Sequence, residues 1–213
     1  MPTAQDPTVP PAAKAHLAAD PHLGPLVARL TIPARPDHDG DVYFGLIRSI
    51  AYQQLSGKAA GTIFGRFLDL FPDGYPHPER LLELDDSAVR AAGMSRSKTE
   101  YVKNVAQYWL DHRLLHFDWN EWTDEEIVDR LTSIKGVGRW TVEMMLMFVL
   151  QRPDLLPLED LVVKRNIIRL FGIDDTALRG RKLTAEIERR CAPWRPWRSY
   201  ASRYMWAWDG TVL

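Results

Sequence analysis

The stretch Leu131-Thr-Ser-Ile-Lys-Gly-Val-Gly-Arg-Trp-Thr-Val-Glu-Met144 decides how this chain is read. Ahead of it, Thr123 and Glu126 have the spacing of a capping box, and Ile127, Leu131 and Ile134 follow at helical intervals. Behind it, the run from Trp140 to Leu150 is apolar all round, which predicts a central helix buried among other elements. The two helices meet at Lys135-Gly136-Val137-Gly138. Glycines on either side of one aliphatic residue let the backbone turn tightly and turn its N–H groups outward, and the next helix adds the positive end of its dipole. Such a turn is an anion site of the kind that takes a phosphate. Read alone, such a pair of glycines is more simply an ordinary helix–helix turn in which Gly136 or Gly138 is the C-cap.

Outward from this turn the helical signal persists. Phe44, Ile47, Ala51 and Leu55 lie on one stripe of a helix expected over Asp41–Leu55, with Ser56 and Gly57 as punctuation. A second run carries Ile63, Phe64, Phe67, Leu68 and Phe71 up to the stop at Pro72-Asp73-Gly74. Tyr101, Val105 and Tyr108 give another stripe. A helix opening near Asp160 places Val163, Ile167, Leu170 and Phe171 on one face and ends at Gly172, and the Trp-, Arg- and Tyr-dense region Pro193–Trp208 holds a last helix. With no period-2 strand and no repeat, the expected class is all-α.

The 213 residues suffice for one substantial unit or two small lobes, and a net charge of -1 means that any nucleic-acid site is local, not an effect of bulk charge. Contact through backbone amides needs little more than Lys135 and Arg139 in side-chain charge, and it reads no base sequence. Cys191 is the only cysteine, so there is no intrachain disulfide, no four-cysteine iron–sulfur cluster and no cysteine zinc site. The scattered histidines lack the spacing of a catalytic zinc site, and no nucleotide-binding loop is present. Residues 1–12 read as a flexible tail without a secretory signal, ahead of one domain over 13–213 whose terminal segments pack together. No apolar run is long enough for a membrane span, so a soluble protein of a reducing compartment is expected.

Between the hairpin and the last helix, Leu156-Pro-Leu-Glu-Asp-Leu-Val-Val-Lys164 sets Glu159 and Asp160 at a helix start. By itself this is an N-cap beside a dipole-favoured neighbour. Taken with the hairpin and the Pro196-Trp-Arg-Ser-Tyr-Ala201 stretch, it resembles the helix-hairpin-helix-GPD superfamily of DNA glycosylases over roughly Asp41–Trp208. The closest likeness is to the DNA-3-methyladenine glycosylase II branch, in a short form without the N-terminal β domain.

That resemblance implies a two-lobed helical fold with the active site in the cleft between the lobes, and a monofunctional enzyme that flips an alkylated base, of the 3-methyladenine or 7-methylguanine type, out of double-stranded DNA and hydrolyses its N-glycosidic bond. Asp160 falls on the catalytic carboxylate. Trp140, Trp206, Met144 and Leu161 fall on the base pocket, and Lys135, Gly136, Val137, Gly138, Arg139 and Thr141 on the phosphate-binding hairpin. Strand-cutting members place a lysine where Trp140 stands, so lyase chemistry is not expected. Gln53, Gln54 and Leu55 are candidates for the wedge that fills the gap in the base stack, or equally a polar helix end and a core leucine.

Lys58, Ser95, Ser97 and Lys98 are candidates for backbone-phosphate contact, with a solvated helix start as the alternative around Ser95. The family hairpin implies a Na+ or K+ held by carbonyls near Ser133, Ile134 and Val137, with no other cofactor required. A monomer in a bacterial cytosol or nucleoid completes the expectation. The readings left beside it are a glycosylase for another lesion class and a noncatalytic module that binds damaged DNA.

Overall fold

The computed structural model describes residues 9–32, 40–55 and 57–210. Among them every regular element is a helix, which agrees with the all-α expectation, and no helix is long and apolar enough to cross a membrane. The chain divides into two units, one of Met1–Asp37 with Gln151–Leu213 and one of His38–Leu150. The first begins with α1 (Pro11–Ala18) and α2 (Gly24–Arg29). The second carries α3 (Val42–Tyr52), α4 (Gly57–Leu68), α5 (Pro78–Glu83), α6 (Asp86–Ala91), α7 (Arg96–Asp111), α8 (Asp124–Thr132) and α9 (Arg139–Phe148). The chain then returns to the first with α10 (Leu161–Phe171), α11 (Arg181–Cys191) and α12 (Arg198–Ala207).

In the first unit, Leu17, Leu26 and Ile32 from the N-terminal segment share one apolar cluster with Val163, Ile167, Trp194 and Tyr204 from the C-terminal one. The tail expected over 1–12 has its first eight residues outside the described range, but Val9 is buried and Pro11 already opens α1. Proline at a first helical turn loses no hydrogen bond and has its φ preset for the helix. Asn166, fully buried on α10, donates from Nδ2 to the carbonyls of Met205 at 2.7 Å and Trp208 at 2.9 Å. These bonds fix the helix that starts at Asp160 against the end of α12.

In the second unit, α3 starts at its Asp41 N-cap, which accepts from Phe44 N, and buries Tyr43, Leu46, Ile47 and Ile50. The helix stops at Tyr52, short of the expected Leu55. Gln53 is extended at ψ 131°, Gln54 is left-handed at φ 58°, and Leu55 is 40% exposed instead of continuing the apolar stripe. Ser56, expected as punctuation, lies outside the described residues. On α7 the buried face is Thr99, Val102, Val105, Ala106 and Trp109, so Tyr101 and Tyr108 flank the stripe where they were expected to define it. The Thr123–Glu126 capping box closes in both directions and starts α8. α9 buries Val142, Met145, Leu146 and Met147, but Trp140 is 41% exposed, so its first turn is open on one side where an all-round burial was expected.

Candidate functional site

The two glycines of the turn between α8 and α9 answer to different constraints. Gly136 has φ +101°, and a Cβ there would lie 2.1 Å from Cγ of Tyr101. Both the backbone region and the close approach of the Tyr101 ring demand glycine. Gly138 has φ -91° and ψ 164°, extended backbone open to any residue, and a Cβ there would meet nothing within 4 Å. It is the N-cap of α9, and no side chain caps that helix. Folding alone therefore makes no demand for glycine at Gly138. Space beside uncapped helix amides is what an incoming anion requires.

The hairpin is pinned from other elements. Gln53 Nε2 donates to the carbonyl of Gly136 at 3.4 Å and Asn104 Nδ2 to that of Lys135 at 3.2 Å. Its two cations are both engaged. Lys135 Nζ lies 2.5 Å from Glu100 Oε1, and that hydrogen bond raises the lysine pKa. Arg139 bonds Glu125 through Nη2 at 2.8 Å and the buried Glu143 through Nε at 3.0 Å, with Glu125 the larger cause of its raised pKa.

Two of the candidates for phosphate contact on α7 have partners within the chain. Lys98 Nζ donates to the carbonyl of Ala51 at 2.8 Å, where burial lowers its pKa, so it ties α7 to the end of α3. Ser95 is the N-cap of α7 and accepts from Lys98 N at 3.2 Å, the alternative reading of that segment. Ser97 and Lys58 are exposed.

The end of α3 and the start of α9 enclose a cavity of about 510 Å³ lined by Arg48, Tyr52, Gln53, Gln54, Leu55, Trp140 and Met144. Trp140 and Met144 were expected in a pocket. The wedge candidates also line this cavity, and they differ: Gln53 is held to the hairpin, whereas Gln54 and Leu55 are exposed on a left-handed turn. Arg48 and Tyr52 were not singled out from the sequence. Their signal was readable as a cation and an aromatic one helical turn apart, and the Arg48 guanidinium lies 4.3 Å from the centre of the Tyr52 ring.

In the other unit, Asp160 is the N-cap of α10, its Oδ1 accepting from Val162 N and Val163 N at 2.9 Å each. The capping reading of this residue is thus realised, and it holds the carboxylate in one orientation. Leu161 is 81% exposed on the first turn of α10, and Trp206 is half-buried against the apolar cluster on α12. The approach to Asp160 is clamped by the Pro196–Ala201 stretch. Arg198 grips Asp154 through Nε at 2.7 Å and Nη2 at 3.0 Å, and Arg195 adds a contact to the same carboxylate at 3.0 Å. Ser199 Oγ donates to the carbonyl of Arg152 at 2.7 Å and accepts from Leu155 N at 2.9 Å. Sequence reading found this stretch only through the family resemblance; its physical role is to fix the loop that leads to Asp160.

Comparison with known proteins places this arrangement among others. The family model described as the HhH-GPD superfamily of base excision DNA repair proteins matches residues 47–196. DNA-3-methyladenine glycosylase 1 of Schizosaccharomyces pombe is 36% identical over 177 residues, covering 82% of this chain and 75% of that protein. A putative DNA-3-methyladenine glycosylase of Bacillus subtilis is 36% identical over 174 residues, 79% of this chain and 59% of that protein. A solved structure of the S. pombe 3-methyladenine DNA glycosylase in complex with abasic DNA matches with a TM-score of 0.74 at 30% identity, covering 95% of this chain and 100% of that one.

Proposed function

The chain belongs to the HhH-GPD superfamily of base excision DNA repair proteins, and from that membership we propose that it is a monofunctional DNA glycosylase that hydrolyses the N-glycosidic bond of alkylated bases. The observation that carries the reading to this chain is the cavity of about 510 Å³ beside the glycine hairpin, with the exposed Trp140 on its wall. An indole face suits a flipped base, and attraction to a cationic methylpurine is worth roughly 0.5 to 2 kcal/mol.

In this reading the uncapped start of α9 and the open face of Gly138 receive a DNA phosphate. The monovalent cation expected at the hairpin would be held by backbone carbonyls. That of Ile134 already accepts from Val137 N, and those of Ser133 and Val137 accept no backbone hydrogen bond among the described residues, so the turn has acceptors for it. Held there, such an ion would supply positive charge toward the phosphate. Leu55, exposed and apolar at the tip of its turn, takes the wedge role better than Gln53.

Asp160 does the chemical work. Cleavage builds oxocarbenium-like positive charge on the sugar, and a carboxylate already oriented by two amides stabilises that charge without reorganising. A base alkylated on a ring nitrogen leaves as a neutral molecule, so a strong general acid is not needed. Trp140 offers no amine for a Schiff base, which leaves hydrolysis without strand cutting. The protein acts as a monomer on duplex DNA.

The test is release of free base from alkylated duplex DNA, scoring abasic sites with and without alkali. Release together with strand breaks that appear only after alkali is expected. Absence of release from every alkylated substrate would overturn the reading.

A further inference from the structure

A second cavity, of about 240 Å³, lies at the start of α3, roughly 15 Å along the helix from the end that borders Trp140. Asp41, Tyr43, Tyr75, Trp109, Phe117 and Trp119 are on its wall, all of them within the second unit. Tyr43 packs against Trp109 with ring centres 5.5 Å apart, and Trp109 against Trp119 at 5.6 Å, so much of the wall is aromatic.

The oxygens on this wall have their protons already placed. Tyr43 donates its hydroxyl proton to the carbonyl of Pro76 at 2.6 Å, and Tyr75 donates its own to Oδ2 of Asp41 at 2.8 Å. Burial is the main cause that raises both phenol pKa values, so these protons stay where they are. What each phenol oxygen has left is lone pairs. Asp41 Oδ1 accepts from Phe44 N at 2.9 Å, and no cation among the described residues forms an ion pair with this half-buried carboxylate. Carboxylate and phenols therefore present acceptors and negative charge with no counter-charge beside them.

We propose that this cavity binds a primary alkylammonium, its N–H donors meeting the Asp41 carboxylate and the Tyr43 and Tyr75 oxygens while its methylenes lie against the indole rings. The inference goes beyond the glycosylase reading and does not depend on it. An anion is repelled by Asp41, a neutral alcohol leaves the carboxylate without a counter-charge, and a quaternary ammonium has no N–H to donate. An aromatic wall suits the apolar stem of such a cation as well as its charge.

The experiment titrates the whole chain, free of DNA, with n-butylammonium near neutral pH and follows the indole N–H resonances of Trp109 and Trp119 by NMR. Saturable shifts with Kd on the order of 1 mM are expected for so small a ligand. 1-Butanol and tetramethylammonium should bind at least about tenfold more weakly. Asp41→Asn keeps a capping oxygen for α3 and should weaken n-butylammonium about tenfold or more. Tyr75→Phe keeps the ring and should weaken it a few-fold, about the loss of one hydrogen bond, and it carries the test if Asp41→Asn does not fold. Nα-acetyl-lysine methylamide, titrated in parallel, separates two sources of the same group: binding of both ligands assigns the site to a lysine side chain of a protein, and binding of n-butylammonium alone assigns it to a free amine. Indole resonances that do not move, equal binding of 1-butanol or tetramethylammonium, or affinity unchanged in both variants would overturn the proposal.

Discussion

Two helix starts in this chain are built in opposite ways. α10 begins at Asp160, whose carboxylate fills the cap by accepting two of the helix's own amides. α9 begins at Gly138, where no side chain caps the helix and a Cβ would meet nothing. The same orphan amides exist at both ends, because the first turn of any helix lacks internal acceptors. At α10 they are satisfied from within and hold a carboxylate still. At α9 no side chain fills the cap, and the helix start lies beside a cavity with an aromatic wall. The contrast teaches that a filled cap holds a charged group in one orientation, whereas an empty one leaves room beside its amides, which is why the proposed phosphate site falls at α9.

The largest effect that tests the contrast is on chemistry at the filled cap. Asparagine caps a helix about as well as aspartate, so Asp160→Asn should leave stability within about 0.5 kcal/mol by thermal melting. Base release should nevertheless fall about 1,000-fold, roughly 4 kcal/mol, with DNA affinity retained. Undiminished release would reduce Asp160 to a cap and nothing more.

At the empty cap the two glycines should separate stability from binding. Gly136→Ala places a methyl group against the Tyr101 ring in a left-handed backbone region, and should cost about 2–3 kcal/mol in urea unfolding. Gly138→Asp meets no obstacle, adds a capping oxygen, and should hold or raise stability by a few tenths of a kcal/mol. Its duplex affinity, read by fluorescence anisotropy, should weaken about tenfold, near 1.4 kcal/mol. If Gly138→Asp binds DNA as tightly as wild type, α9 is not the phosphate site.

The smallest effect concerns the hairpin cations. Glu100→Gln removes the partner of Lys135 and should tighten duplex binding about two- to threefold at low salt, a small effect because the pair is exposed and screened by solvent. The dependence of log affinity on log salt should steepen by up to about one. A slope identical to wild type would mean that Lys135 stays away from DNA even when released.

Legibility followed distance along the chain. The capping box of α8, the glycine turn and the helix from Asp160 to Gly172 depend on residues within a few positions of each other, and all were readable. α2, α5 and α6, with 6 residues each, were not, because one turn and a half shows too little periodicity. α11 was hidden by its charge, since a helix burying only Leu183, Ile187 and Cys191 looks polar throughout. The end of α3 was misread because Leu55 keeps the helical interval while the backbone turns at Gln54.

By itself, then, the sequence determined the helical class, the two helix starts and the residues that stand at them, since caps and glycine turns are set by local backbone chemistry. Only the tertiary structure decided which cations near the hairpin are already engaged and which one faces the cavity. Lys98 meets Ala51, Lys135 meets Glu100, and Arg48 shares a wall with Trp140, all across large intervals of chain. Pairing and burial of charge depend on neighbours in space, and a linear pattern does not contain them.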